Sequence, residues 1–406
     1  MSSFVINGGK RLEGRICVSG SKNAVLPMIF STVLMYGRSV IVGVPDITDV
    51  RVALSLISDL GAVWHMDGDR LYIDTSHLEY VYPDTDLASR IRASAYLLGA
   101  CLGRFGRADV CCVGGCSFDK RPIDMHVGAA VKLGAEHQNG EITAKKLHGS
   151  DIIFEKTSVG ATINAILMAT AANGRTRIFG YAREPHVYSL INFLVSAGAC
   201  IRPCNEYIEI EGRVLHGGSG GVIPDMIEAG TYLALSLATR SELEIFGALR
   251  DDLDSFIHTL VSAGACVRLG TSSITAGGIF DEPAIITAAP HPAFATDLQP
   301  QMAPLLASFC GGRITDTVWR SRFGYLTELA KHGVEYECSG NTAFIKPSRL
   351  RPAHTVAPDL RGGAALLIAA LTSDGESVID SAQIINRGYE NIVNKLRTVG
   401  ADIYEI

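Results

Sequence analysis

Apolar residues at Leu190, Phe193 and Leu194 fall three and four positions apart, so 188–197 reads as a helix with one buried face, closed at Gly198. The same punctuation recurs along the chain. Helix-like runs end at Leu60-Gly61-Ala62, Leu133-Gly134-Ala135, Ala197-Gly198-Ala199, Ala263-Gly264-Ala265, His332-Gly333-Val334 and Val399-Gly400-Ala401, with spacings of 73, 64, 66, 69 and 67 residues. A period that regular, six times over in 406 residues, predicts one structural unit repeated to fill the chain. Each shared glycine sits where a closing helix needs a residue at positive φ.

Within a copy, a short apolar strand comes first, as at 14–18, 151–154 and 284–287. A helix rich in small residues follows: 23–35, 92–102, 161–172, 228–238, 298–309 and 361–371. A β-branched strand such as 40–42 or 176–179 leads through a polar loop to the amphipathic helix, and two strands such as 200–202 and 207–210 follow the glycine. The unit is therefore βαβαββ. The sixth copy runs out after one strand at 402–406, while a spare strand stands at 4–7, so the N-terminal segment is expected to complete the last copy. The fold class is α/β.

A chain of this length exceeds what one core usually holds, so two three-repeat domains are expected, 22–222 and 1–21 plus 223–406. The glycine-rich stretch 217–221 marks one crossing and 19–21 the other. The cleft between two such lobes is the default site, expected to close when ligand binds.

Composition narrows the classes. With 47% hydrophobic and 19% charged residues and a net charge of −6, the chain reads as a mildly acidic globular protein with no basic field for nucleic acid. The most apolar run, 24–36, is too short to span a bilayer, so no membrane insertion and a cytoplasmic location are expected. Ten cysteines without metal-finger spacing read as reduced thiols, so no metal site is expected. No P-loop or dinucleotide fingerprint occurs, so no nucleotide cofactor is expected. Protein partners and oligomeric state are not legible.

The polar residues that stand out fill two recurrent slots. The start of the small-residue helix holds Lys22-Asn23, Arg90 with Arg92, Lys156 to Gly160, Asp297 and Arg361; the loop before the second helix holds Cys116 with Arg121, Arg183-Glu184, Arg322 and Arg387. Helix N-termini carry partial positive charge. Six cations added to such termini, Lys22, Arg92, Arg121, Arg322, Arg361 and Arg387, would overload a cleft unless a multiply anionic ligand is bound. The plainer reading is local capping and pairing of each. Cys116, after Gly114-Gly115 and near Lys120 and Arg121, reads as a thiol of lowered pKa or as an incidental loop cysteine. Asp297 reads as a helix cap or a general base.

Taken in order, Ser19-Gly20-Ser21-Lys22-Asn23-Ala24, the Gly115-Cys116 loop to Arg121-Pro122-Ile123-Asp124-Met125-His126, Ser158-Val159-Gly160-Ala161-Thr162, Ala182-Arg183-Glu184-Pro185, Pro290-His291-Pro292 to Asp297 and Asn386-Arg387-Gly388-Tyr389-Glu390 span nearly the whole chain. This set closely resembles the UDP-N-acetylglucosamine 1-carboxyvinyltransferase family. The resemblance implies a two-domain inverted α/β barrel of six such repeats. It implies transfer of the enolpyruvyl group of phosphoenolpyruvate to the 3′-hydroxyl of UDP-N-acetylglucosamine, the first committed step of peptidoglycan synthesis. Lys22, Asn23, Arg121, Arg361 and Arg387 would hold phosphoenolpyruvate. Asn23, Arg92, Arg121, Pro122, Ile123, Asp124, Met125, Lys156, Thr157, Ser158, Val159, Asp297 and Val318 would hold the sugar nucleotide. Cys116, Asp297 and Lys22 would be catalytic, Cys116 as the proton donor to C3 and the thiol that fosfomycin alkylates. Asp119, Met226 and Arg320 depart from the family pattern, which has a small residue, an Arg and an acidic residue there. Two other readings are a transferase for a different acceptor, 3-phosphoshikimate or another nucleotide, and a non-catalytic sugar-nucleotide sensor. Cys116 argues against a shikimate enzyme; retention of Lys22, Cys116, Asp297 and Arg387 together argues against a sensor.

Overall fold

The structure, a computed structural model, describes residues 2–109 and 122–406. The chain divides into two compact units, 2–19 with 224–406, and 20–109 with 122–223 among the described residues. Backbone hydrogen bonds mark both sides of the division. The Asp225 N–H donates to the Ser19 carbonyl at 2.9 Å in one unit, and the Ser21 N–H donates to the Ile223 carbonyl at 2.7 Å in the other.

In the unit of 224–406 the repeat is explicit. Three four-stranded sheets share one order, first strand parallel to the second, then the fourth and the third antiparallel. Ala284–Ala288, Gly312–Asp316, Thr342–Ile345 and Tyr336–Ser339 form one of them. His354–Val356, Gly375–Asp380, Ser3–Gly8 and Asp402–Glu405 form another, so the N-terminal strand fills the fourth place of the last copy. Arg15–Cys17 pairs in parallel with Leu243–Phe246 and opens the third. Chain order alone would join 14–18 to the first helix that follows it. Its Ile16, 1% exposed, is instead buried in the core of the C-terminal unit opposite Ile245.

The other unit is built alike. Ser219–Gly221 supplies the parallel first strand beside Arg38–Val42, so part of the glycine-rich stretch is a strand of this unit and the crossing falls after it, between 223 and 224. Asp151–Ile153, Arg175–Phe179, Tyr207–Glu211 and Cys200–Pro203 repeat the four-stranded order, and Arg107–Asp109 with 136–138 and 141–143 forms a three-stranded sheet among the described residues.

Each unit packs three apolar helices at its centre: Lys22–Ser31, Tyr96–Phe105 and Val159–Ala171 in one, Met226–Ala238, Gln299–Ala307 and Leu360–Thr372 in the other. A helix apolar on every side belongs in a core, and all residues from Ile227 to Ala238 and from Arg361 to Leu371 are buried. Small residues let these helices approach. A methyl added at Gly99 would stand 2.5 Å from Asn164 Oδ1, and one at Gly230 would stand 2.6 Å from the Leu298 side chain. The amphipathic helices, Pro185–Ser196 among them, present one buried face, and each fully buried leucine contributes about 1.5–3 kcal/mol. The six repeat glycines all take positive φ, between 89° and 103°, ending each of those helices. Among the described residues no helix is long and apolar enough to cross a membrane.

Candidate active site

In the unit of 20–223, Lys22 is the first residue of its helix, and the N-cap Ser21 makes no side-chain capping bond there. Its ammonium lies 2.6 Å from Asp49 Oδ2, the two side chains being 13% and 2% exposed. Asp49 stands in the first turn of Thr48–Asp59, where a carboxylate also suits the helix dipole. Asn23 is half-buried beside Lys22. In the third central helix of this unit, Ser158 caps Val159–Ala171, its hydroxyl accepting from the Ala161 N–H at 3.3 Å. Lys156 and Thr157 are exposed before it; Ser158 and Val159 are half-buried.

His126 packs against the helix that Ser158 caps. It is 3% exposed on Asp124–Lys132, and its Nδ1 lies 2.7 Å from Asn164 Nδ2. Asn164 Oδ1 accepts from the Gly99 N–H at 2.7 Å, which fixes the amide so that its NH2 faces Ala95 O and the imidazole. His126 Nδ1 is therefore an acceptor and the ring is neutral. Burial foremost, and then the nearby Arg92, lower its pKa to about 4 against the opposing pull of Asp124. The ring lies against the first turn of 159–171: a Cβ added at Gly160 would come 2.9 Å from His126 Cε1. Pro122 and Asp124 are exposed and Arg92, Ile123 and Met125 half-buried, so the predicted sugar-nucleotide residues on 122–125 precede a buried, neutral histidine.

This histidine makes stability pH-dependent in a definite direction. Its pKa is about 4 in the fold and about 6.5 unfolded. The unfolded chain therefore binds the proton first as pH falls. His126 thus removes on the order of 3 kcal/mol between roughly pH 6.5 and pH 4, with no further loss below. Urea unfolding across that window should fall more steeply in the wild type than in His126→Gln, and equal slopes would refute the assignment.

In the unit of 224–406, Asp297 lies in a one-turn 3-10 segment, Thr296–Leu298, ahead of Gln299–Ala307. Arg322 Nη2 lies 2.8 Å from its Oδ1, and Arg361 Nε lies 3.2 Å from its Oδ2. Both arginines are 3% exposed and Asp297 is 30% exposed, so an accessible carboxylate is held by two buried cations. Arg322 Nη1 also donates to Thr296 Oγ1 at 3.0 Å, and that hydroxyl donates to Asp316 Oδ2 at 2.6 Å. Asp316 Oδ1 accepts from the N–H groups of Val318 and Trp319, both at 2.9 Å, so the loop of Val318 and the carboxylate of Asp297 hang on one buried network. Arg361 opens the helix 360–372, and its charge is held on: burial works against it, but Tyr389, Asp297 and Asp225 outweigh burial. Arg387 is half-buried at the end of Ala382–Arg387.

These contacts revise the expectation of uncompensated cations. Lys22, Arg322 and Arg361 already have carboxylate partners in Asp49 and Asp297. Desolvation is the reason: a buried charge without a partner costs several kcal/mol, so a fold that keeps such cations buried supplies counter-anions itself. The helix starts differ too. Asp225 accepts from the Ile227 and Glu228 N–H groups and Asp359 from those of Arg361 and Gly362, so two helix N-termini of this unit are capped by their own carboxylates. Asp297 is a counter-ion to two arginines. Cys116 and Arg121 lie outside the described residues, as does Asp119. Met226 is the first residue of its helix, packed against the core, and Arg320 is exposed. Among the described residues no group of three His, Cys, Asp or Glu is placed to hold a metal ion.

Sequence reasoning missed Asp49, His126 with Asn164, and Tyr389 as parts of these clusters. Asp49 carried one faint signal, an acidic residue in the first turn of a predicted amphipathic helix.

The model of the EPSP synthase (3-phosphoshikimate 1-carboxyvinyltransferase) family matches residues 6–396. A UDP-N-acetylglucosamine 1-carboxyvinyltransferase of Halothermothrix orenii is 37% identical over 414 residues, covering 100% of both chains. The chain belongs to this enolpyruvyl transferase family. A UDP-N-acetylglucosamine 1-carboxyvinyltransferase 2 of Streptococcus thermophilus is 39% identical over 415 residues and covers 99% of each. The solved structure of the enolpyruvyl transferase NikO from Streptomyces tendae superposes with a TM-score of 0.90 at 26% identity over 100% of this chain and 99% of its own. EPSP synthase from Acinetobacter baumannii, at 15% identity and a TM-score of 0.73 over the whole of both chains, shares the fold. The repeated α/β architecture is thus that of the enolpyruvyl transferases.

Proposed function

We propose that this enzyme transfers the enolpyruvyl group of phosphoenolpyruvate to the 3′-hydroxyl of UDP-N-acetylglucosamine and releases inorganic phosphate, as a cytoplasmic step of peptidoglycan synthesis. The observation that carries the reading is Asp297, an accessible carboxylate between two buried guanidiniums, in a chain collinear with relatives of that name. Asp297 is the base and Arg361 the anion ligand. Planar guanidinium forks match carboxylate and phosphate oxygens in pairs, which suits Arg361 with Arg387 to the carboxylate and Arg121 with Arg387 to the phosphate. Lys22 and Asn23 complete the phosphoenolpyruvate contacts. Arg92, Arg121 to Met125, Lys156 to Val159 and Val318 hold the sugar nucleotide.

The Cys116 thiol gives its proton to C3 of phosphoenolpyruvate, leaving positive character at C2. The 3′-oxygen bonds to C2 as Asp297 takes the hydroxyl proton. The tetrahedral adduct then loses phosphate from C2 and a proton from C3, and the enol ether double bond returns. Asp297 is a weak base while both arginines hold it. An incoming carboxylate on Arg361 would relieve one of those pairings and strengthen the base as substrate arrives.

Phosphate release from phosphoenolpyruvate tests the proposal. Release is expected with UDP-N-acetylglucosamine and none with 3-phosphoshikimate, the compound for which the matching family is named. Release with 3-phosphoshikimate alone would overturn the acceptor, and release with neither would overturn the activity.

A further inference from the structure

Asp316 ends the strand Gly312–Asp316 and is buried. One residue fixes its backbone from both sides: its N–H donates to the Asn341 carbonyl at 2.9 Å, and its own carbonyl accepts from Asn341 Nδ2 at 3.0 Å. The two carboxylate oxygens then serve different places. Oδ1 accepts from the N–H groups of Val318 and Trp319, each at 2.9 Å, and Oδ2 accepts from the Thr296 hydroxyl at 2.6 Å. The proton direction along the second branch is determined. A guanidinium only donates, so Thr296 Oγ1 accepts from Arg322 Nη1 at 3.0 Å, and the single proton of that hydroxyl goes to Asp316. Arg322 Nη2 lies 2.8 Å from Asp297 Oδ1, so the fork of this buried arginine is seated across two successive residues, Thr296 and Asp297.

We infer that Asp316 is a positioning residue that sets both the general base and the sugar-nucleotide loop from one carboxylate. Asp297 stands in a single 3-10 turn with its carboxylate accessible, so the arginines that pair with it fix its direction. Arg322 is a long side chain with much rotamer freedom to lose. Thr296 holds one arm of its fork, and Asp316 holds Thr296. Asp316 has little freedom itself, because it ends a strand and is clasped by Asn341. Its other oxygen gathers the first N–H groups after that strand, which places the loop of Val318. The direction of the base and the position of the loop are thereby decided by one anion that acts through other residues. A shift of about 1 Å in a reacting group costs up to about 10²-fold in rate.

The inference rests on the proposed transferase reading and is tested with the full-length enzyme, phosphoenolpyruvate and UDP-N-acetylglucosamine. Thr296→Val keeps the shape of the side chain and cuts only the branch to the base. Its kcat should fall about tenfold, the loss of one hydrogen bond to a charged group, while KM for the sugar nucleotide stays within about twofold, because the bonds of Asp316 to the loop remain. Thr296→Ser, which keeps the hydroxyl, should restore kcat to within about threefold of the wild type. Asp316→Asn cuts both branches. An amide has one acceptor oxygen where the carboxylate has two, so one branch loses its acceptor and the other loses the charge that strengthened it. Its kcat should fall about tenfold or more and its KM for the sugar nucleotide rise about threefold or more. A wild-type kcat in folded Thr296→Val would overturn the inference, as would a wild-type value of either constant in folded Asp316→Asn. If Asp316→Asn does not fold, the threonine pair carries the test: a kcat lost in Thr296→Val and regained in Thr296→Ser supports the inference, and equal values in the two overturn it. Failure of the transferase reading looks different, because the wild type itself would then release no phosphate.

Discussion

Asp297→Asn is expected to lose about 10²- to 10⁴-fold in kcat, the usual contribution of a positioned general base, while KM for phosphoenolpyruvate does not rise. The amide preserves the shape of the carboxylate but cannot accept the hydroxyl proton. It also ceases to compete for Arg361, whose Nε now lies 3.2 Å from Asp297 Oδ2, so the substrate anion meets a cation released from its internal partner. Stability should move the other way. Arg322 and Arg361, both 3% exposed, lose their shared counter-ion, and breaking a buried ion pair from one side costs about 3–5 kcal/mol. Thermal melting should show that loss, and inorganic phosphate should restore part of it by binding the exposed cations. Steady-state kinetics and melting curves with and without phosphate are the measurements. An unchanged kcat would remove Asp297 from the chemistry.

Lys22→Met should lower kcat/KM for phosphoenolpyruvate by about 10²-fold or more, the range for removing a buried charged contact to a ligand. It should also destabilise the fold, because Asp49, 2% exposed, loses the ammonium that lies 2.6 Å from it. Six cations crowded into one cleft, as the sequence reads, would on their own make truncation of Lys22 a relief of repulsion. The pairing with Asp49 reverses that sign. The double variant Lys22→Met with Asp49→Asn separates the two effects: melting temperature should recover toward the wild type while kcat/KM stays low. Recovery of activity in the double variant would make Lys22 a structural residue.

Much of the architecture was legible because it is written at short range. A helix that ends at Gly198 or Gly264 announces itself in the residues beside it, and six such endings at nearly equal spacing reveal the repeat without any contact being known. The spare strand at 4–7 was legible by a count of strands per copy, and it occupies the predicted place beside Gly375–Asp380 and Asp402–Glu405. The strand at 15–17 was harder. The sequence placed it in the C-terminal half with 1–21 yet also read 14–18 as the opening strand of a copy, and the pairing of Ile16 with Ile245 makes that copy the fourth.

The polar clusters were less legible. Lys22 stands out in the sequence, and its partner Asp49, on another helix, does not. Tyr389 meets Thr231 and Gln301 across 158 and 88 residues, and Asp297 meets Arg361 across 64. A hydrogen bond has no periodicity along the chain. Nothing in the vicinity of Gln301 distinguishes a glutamine that meets a buried phenol from one that faces water.

The sequence by itself thus determined the repeat, its βαβαββ content and the family, because helix period, strand alternation and glycine endings are properties of neighbouring residues. The tertiary structure decided which charges are already spent on one another. Desolvation in a packed interior forces Lys22 onto Asp49 and both Arg322 and Arg361 onto Asp297, and that pairing depends on which helix starts are brought within about 3 Å.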